Sequence, residues 1–207
     1  MDEQYRIADE AALEKVIGEP LEFLREKVLA ALEPAMVDFI RSSPLLFIST
    51  VDSEGRADVS PKGDPPGFVE VGEDGSLLIP ERPGNKLTFG FRNILREPRI
   101  GLIFVVPGLR ETLRVKGTAT LHRDPAVLER LNVKGKPALM YTRVEVTECF
   151  FHCGKAMIRS KMWQPESWGR QDGSPMVRQI VDAYQGDKEL EASIEQELEK
   201  NYREELY

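Results

Sequence analysis

The sequence predicts a mainly β protein of the α+β class, an antiparallel Greek-key barrel with helices at both ends of the chain. Three observations carry that expectation. Between Pro44 and Trp163 the apolar residues fall into six or seven short runs separated by turn residues. Only two or three helical patterns interrupt those runs. Before Pro44 and after Trp163, by contrast, apolar residues recur at helical spacing. The chain therefore divides into a helical extension over 1–43, a β-rich domain over 44–163 and a second helical extension over 164–207. Its 207 residues, 41% hydrophobic and 30% charged, can bury a full core without metal or disulfide staples.

Taken in order, Asp9 caps a helix bearing Ala12, Leu13, Val16 and Ile17, which Gly18 ends. Pro20 opens a second helix with Leu21, Leu24, Val28 and Leu32 on one face, and Pro34 a third that stops near Ser42-Ser43-Pro44. The period then changes. Leu45 to Val51 and Ala57 to Lys62 read as strands of one hairpin, joined by Asp52-Ser53-Glu54-Gly55. After a Gly/Pro loop from Gly63 to Gly67, Phe68 to Val71 and Ser76 to Pro80 are strands flanking Gly72-Glu73-Asp74-Gly75.

Asn85 to Arg96 has helical spacing and stops before Pro98. Ile100 to Val106, Thr112 to Leu121 and Leu139 to Phe151 are the remaining strands, with a short helix capped by Asp124 between the last two. Cys153 to Trp163 returns to helix. From there to Pro175 the chain is polar and Gly-rich, and Met176, Ile180, Val181 and Tyr184 then mark a helix. In the last helix Leu190, Ile194, Leu198, Tyr202 and Leu206 form a narrow apolar stripe, of the kind that usually docks on its own protein.

The formal net charge of -7 and pI of about 5.1 make nucleic acid and anionic membrane surfaces poor partners. A local cluster of Lys and Arg can still oppose that sign and hold a small phosphorylated ligand. Cys149 and Cys153 are the only cysteines, no secreted disulfide framework, and they fit a reducing cytosol. Met1-Asp2-Glu3-Gln4 lacks the basic start and apolar run of a signal peptide, and no apolar stretch is long enough to span a membrane. The expected location is cytoplasmic.

Three segments offer chemistry. In the first, Leu78-Ile79-Pro80-Glu81-Arg82-Pro83-Gly84-Asn85-Lys86, the chain leaves a strand and enters a helix with Asn85 at its expected N-cap. Unpaired amides and a partial positive charge at such a point favour a phosphate, which Arg82 and Lys86 would flank. In the second, Asp58-Val59-Ser60-Pro61-Lys62-Gly63-Asp64, Pro61 is expected to make the strand bulge or leave the sheet. Backbone from Ser60 to Gly63 would then be free to bond a planar heterocycle, with Lys62 reaching a phosphate.

The third segment runs from Phe150 to Trp163. Here Cys149, His152 and Cys153 are metal-ligand types, but no fourth ligand accompanies them and no metal is expected. Lys155, Arg159 and Trp163 are spaced to share one helical face. Each segment alone also fits a solvated surface turn or strand end. There is no Gly-x-Ser-x-Gly, no Walker A lysine motif and no Gly-x-Gly-x-x-Gly at a strand-to-helix turn, so no catalytic residue is assigned and a Rossmann dinucleotide site is disfavoured.

Together the segments are more specific. Ser60-Pro61-Lys62-Gly63-Asp64-Pro65-Pro66-Gly67-Phe68, Ile79-Pro80-Glu81-Arg82-Pro83-Gly84-Asn85-Lys86, Arg92-Asn93-Ile94-Leu95, Glu111-Thr112-Leu113-Arg114-Val115-Lys116-Gly117 and Phe150-Phe151-His152-Cys153-Gly154-Lys155-Ala156 occur in that order. The set resembles a bacterial subgroup of the pyridoxamine 5′-phosphate oxidase-like split-barrel flavoproteins, over about residues 35 to 165.

The resemblance implies a six-stranded antiparallel split β-barrel that forms a homodimer with two flavin mononucleotide (FMN) sites at the seam. By similarity Lys62, Arg82 and Lys86 would hold the FMN phosphate with help from Ser60 and Asn85. Lys155, Arg159 and Trp163 would approach the flavin ring or its substrate face from the other subunit.

The chain departs from true pyridoxamine phosphate oxidases in lacking an Arg-x-His near its end, which reads Tyr202-Arg203-Glu204-Glu205-Leu206-Tyr207. That leaves the substrate unidentified. The expected function is an FMN-dependent oxidoreductase acting on a small molecule. The alternatives are a non-catalytic flavin or haem carrier or sensor on the same barrel, or a deazaflavin-dependent reductase.

Overall fold

A computed structural model describes residues 3–169 and 173–207, the side chain of Phe23 excepted. Its strands are β1 (Leu45–Val51), β2 (Ala57–Gly63), β3 (Glu70–Val71), β4 (Leu77–Glu81), β5 (Arg99–Val105), β6 (Thr112–His122) and β7 (Met140–His152). They form one sheet in the order β2-β1-β5-β6-β7-β4-β3, antiparallel at each pairing. Two hairpins, β1–β2 and β3–β4, thus flank the meander β5–β6–β7.

Side-chain alternation explains how one face of the sheet covers a core. Leu46 and Ile48 of β1, Leu102 and Phe104 of β5 and Leu113 and Val115 of β6 all point inward and are buried. They share one cluster with Leu77 and Ile79 of β4 and with Val144 and Cys149 of β7. The sheet therefore curls until β2 and β4, which share no ladder, face each other across a seam. Two side-chain ion pairs cross that seam, Lys62–Glu81 at 2.6 Å and Arg82–Asp64 at 2.7 Å.

The helices are α1 (Glu10–Ile17), α2 (Glu22–Glu26), α3 (Pro34–Ser42), α4 (Phe89–Ile94), α5 (Pro125–Arg130), α6 (Lys155–Arg159), α7 (Pro175–Ala183) and α8 (Lys188–Glu204). Asp9 caps α1 and Asp124 caps α5 through their carboxylates. From α3, Met36, Phe39 and Ile40 enter the core, while α4 packs against β1 and β2. The α8 stripe lies against α7, although Tyr202 and Leu206 stay exposed. No helix among the described residues is long and apolar enough to cross a membrane. The Gly-rich connector between Trp163 and Pro175 includes residues 170–172, outside the described residues.

Six expectations are corrected. The sheet has seven strands where the resemblance implied six, and Phe68 and Val69 are buried ahead of β3 rather than part of it. The helix expected to reach Leu32 ends at Glu26, because Leu29 exchanges both backbone hydrogen bonds with Cys149 of β7, at 3.0 and 2.8 Å. Tertiary pairing there overrides local propensity. Pro61 causes no bulge: β2 is an edge strand in unbroken register with β1, where a missing N–H costs no ladder bond.

The helix expected from Asn85 begins four residues later, since Lys86 and Thr88 are left-handed with φ of 61° and 58°. The helix expected from Cys153 to Trp163 spans only Lys155–Arg159, and the chain turns at Lys161, whose φ is 52°.

Candidate functional site

A cleft of about 710 Å³ opens beside the seam. One wall is β2, the other is the end of β4 with the loop running to Leu87 and the start of α4, and Arg123, Leu139 and Met140 close it. Because side chains alternate along a strand, Asp58, Ser60 and Lys62 share the half-buried face of β2. All three line the cleft. The opposite edge of β2 carries no neighbouring strand, so its backbone groups from Ser60 to Gly63 are free of ladder bonds on that side.

Lys62 is held from two sides. Its Nζ donates to Glu81 Oε2 at 2.6 Å and stands 4.5 Å from the centroid of the Phe91 ring. Glu81 ends β4, whose five residues are all buried, and its side chain is only 4% exposed. Its second oxygen, Oε1, accepts from the Thr142 hydroxyl at 3.1 Å. Burial pushes the Glu81 carboxyl above the usual carboxylate range, and the charge of Lys62 pulls it part of the way back.

Arg82 is equally engaged. Nε donates to Asp64 at 2.7 Å and Nη2 to the Leu131 carbonyl at 2.8 Å. Its Nη1 is buried without a hydrogen-bond partner among the described residues. The Tyr207 phenol is hydrogen-bonded to the Asp64 carboxylate, which pushes it up. A guanidinium with one uncommitted, desolvated N–H group is ready for a further acceptor.

Asn85 and Lys86 lie exposed on the lip. Asn85 caps no helix: its Oδ1 accepts from the Leu87 amide at 3.0 Å and closes a turn. Lys86 reaches the same lip from a left-handed residue and has no partner among the described residues. The structure thus brings Ser60, Lys62, Arg82, Asn85 and Lys86 to one cleft.

It does not bring Lys155, Arg159 or Trp163 there within one chain. Lys155 and Arg159 are exposed on α6, and Trp163, beyond the helix, donates its Nε1–H to the Leu109 carbonyl at 2.7 Å. Cys149 is buried with its thiol pushed up by desolvation, while Cys153 is exposed. No group of three His, Cys, Asp or Glu side chains that could hold a metal occurs among the described residues.

Asp58, Glu81, Phe91 and Arg123 carry no role in the sequence reading, yet all four line the cleft. Arg123 donates from Nε to the Leu139 carbonyl at 3.1 Å, which fixes its stem at the mouth. For Glu81 a signal existed, a carboxylate closing the unbroken apolar run Leu77-Leu78-Ile79-Pro80.

A family model described as pyridoxamine 5′-phosphate oxidase matches residues 32–153, more than half of the chain. The chain belongs to the pyridoxamine 5′-phosphate oxidase family. The match takes in β1 to β7, the seam and all the cleft residues above.

Solved structures similar to this family member include HupZ from Group A Streptococcus, at 19% identity and TM-score 0.47, with 58% of this chain and 93% of that one covered. A protein from Lactobacillus delbrueckii, given as a pyridoxamine 5′-phosphate oxidase by inference, is 22% identical at TM-score 0.46, with 59% and 95% covered. HutZ from Vibrio cholerae, described as a haem storage protein, is 14% identical at TM-score 0.39, with 60% and 97% covered. No curated protein matches the chain.

Proposed function

We propose that the cleft binds FMN and that the chain is an FMN-dependent oxidoreductase acting on a small molecule. The observation that carries this reading is the set of four cations, Lys62, Arg82, Lys86 and Arg123, on the walls of one cleft in a chain of net charge -7. The cleft volume of about 710 Å³ lies within the range of sites for small ligands.

The donor set fits a phosphorylated flavin. A phosphate with close to two negative charges needs two or three cations. Arg82 has an N–H group to spare, and Lys86 has no competing partner. Lys62, Arg82 and Lys86 hold the phosphate in this reading, assisted by Ser60 and Asn85. The unpaired edge of β2 borders the ring, and Lys155, Arg159 and Trp163 reach it from a second subunit. When bound, the flavin supplies hydride chemistry, so the protein needs to orient the ring, exclude water and tune its charge. Neither histidine lines the cleft, so a haem reading gains no imidazole ligand there.

The second subunit is part of the proposal. Phe47 of β1 and Ile103 of β5 sit directly opposite each other and are 37% and 40% exposed, with Pro61 next in the row. That apolar row on the outer face suits a two-fold contact that would place each cleft near a partner.

The deciding experiment compares FMN with riboflavin, which lacks the phosphate. FMN binds more tightly if the cations hold the phosphate, and equal dissociation constants overturn the site. Lys86→Ala, which removes no contact of the fold, weakens FMN by about 1.5–3 kcal/mol. Light scattering on the flavin-loaded protein gives a mass near twice 23.4 kDa; a mass of 23.4 kDa refutes the shared site.

A further inference from the structure

We propose that Glu81 is the exchangeable counter-ion of the cleft. It holds Lys62 while no anion is bound, and it takes up one proton from solvent when an anionic group of the ligand takes Lys62 over. The identity of that group as the FMN phosphate rests on the preceding reading; the exchange itself rests on the geometry.

Lys62 and its carboxylate both line the cleft, whereas Asp64, the partner of Arg82, does not. An oxyanion that bonds Lys62 Nζ, itself 2.6 Å from Glu81 Oε2, is thereby brought close to a carboxylate with a 4% exposed side chain. Two anions that share one ammonium in a desolvated wall cannot both stay fully ionised. The ligand phosphate has three other cations to hold its charge. Glu81 has only Lys62 at bonding distance, so the proton goes to Glu81.

The surroundings suit both states of the carboxyl group. The hydroxyl of Thr142, itself fully buried, lies 3.1 Å from Oε1. A hydroxyl donates to a carboxylate and accepts from a carboxylic acid, so the same contact survives protonation. The other charged group near Glu81 is Arg82, which follows it in the chain and is committed to Asp64 and the Leu131 carbonyl. On β2, Asp58 shares the face of Lys62, and Phe91 of α4 caps the ammonium.

The empty cleft therefore avoids an uncompensated buried cation, which is costly. The occupied cleft gives its lysine to the ligand without leaving a buried anion behind. No bond other than the O–H forms or breaks.

Titration calorimetry of FMN, run in buffers of different ionisation enthalpy, tests the proposal by counting protons. Wild type takes up close to one proton more per site than Glu81→Gln, and the difference cancels the ionisation of the phosphate itself. In wild type the affinity falls with rising pH by up to about tenfold per unit, a slope the Gln variant loses. Equal proton uptake in the two proteins overturns the proposal.

A second measurement needs neither FMN nor a variant. The side-chain carboxyl 13C resonance of Glu81 is followed while sulfate, dianionic throughout the range used, is added to flavin-free protein at neutral pH. It moves toward the protonated position; a resonance that stays at the carboxylate position overturns the exchange even if FMN binds. If FMN fails to bind while the sulfate shift occurs, the cofactor reading falls and the exchange stands.

Discussion

Arg82→Ala has two consequences, one for the ligand and one for the fold, and the fold shows the larger. The Arg82 side chain is 13% exposed and its partner Asp64 2% exposed. Removing the guanidinium leaves the desolvated Asp64 with its Oδ2 stripped of the ion pair. Breaking a buried pair from one side costs about 3–5 kcal/mol. For a chain of this size each kcal/mol moves the melting temperature by about 2–4 °C, so flavin-free Arg82→Ala melts roughly 6–20 °C lower.

Removing both charges, as in Arg82→Met with Asp64→Leu, recovers most of that loss, because an apolar pair of similar volume strands no charge. Urea denaturation of the flavin-free proteins measures all four corners of the cycle. The reasoning is refuted if Arg82→Ala lies within about 1 kcal/mol of wild type at unchanged m. It is refuted equally if the double variant shows the simple sum of the two single losses. The double variant should also bind FMN more weakly than wild type, since its stability returns without the phosphate contact.

Three further outcomes follow from other parts of the structure. Gly117 marks a register shift in the β6–β7 ladder, and a Cβ there would collide with the Glu145 carbonyl oxygen and the Val144 side chain, so Gly117→Ala should lose about 1–3 kcal/mol in urea unfolding. The Glu81 carboxyl is raised in the folded state, so the unfolded chain ionises first. Stability therefore falls as pH rises from the usual carboxylate range through the raised value, and Glu81→Gln lacks that decline in a series of melting curves. Cys153 is exposed and Cys149 is buried against the Ala31 carbonyl, so a thiol reagent labels one site in native protein and two only in denaturant; prompt labelling of both would contradict the burial of Cys149.

The sequence shows most plainly what depends on local pattern. Strands β1, β5, β6 and β7 fall within a few residues of their expected bounds because their apolar residues alternate or run unbroken between turn residues. The cations Lys62, Arg82 and Lys86 stand out because each lies within two residues of a proline or glycine. Asn85 is misread because left-handed Lys86 and Thr88 delay the helix, and neither residue type announces that conformation. Glu81 shows only as a carboxylate closing an apolar run, and its role is hidden for a different reason. Its partner lies nineteen positions earlier, on a strand that reaches it only when the sheet curls. Phe91 reads as an ordinary apolar position of a helix, and only the placement of α4 puts its ring under Lys62.

The segment between α2 and α3 has a consequence for handling the protein. Strand β4 accompanies β7 only from Met140 to Val144, so the remainder of β7 has no β4 neighbour. Residues 27–31 cover that stretch: Leu29 forms its two-bond bridge to Cys149, and Lys27 donates to the Phe151 carbonyl at 3.2 Å while lying 5.4 Å from the Phe150 ring. They act as a guard against edge-to-edge association, since an uncovered strand edge is a template for another chain. A version trimmed to begin at Glu33 retains all seven strands yet bares the Glu145–His152 edge beside two phenylalanines. Trimming for crystallisation or expression should therefore stop before Lys27, or the shortened protein will self-associate through a surface the intact chain keeps closed.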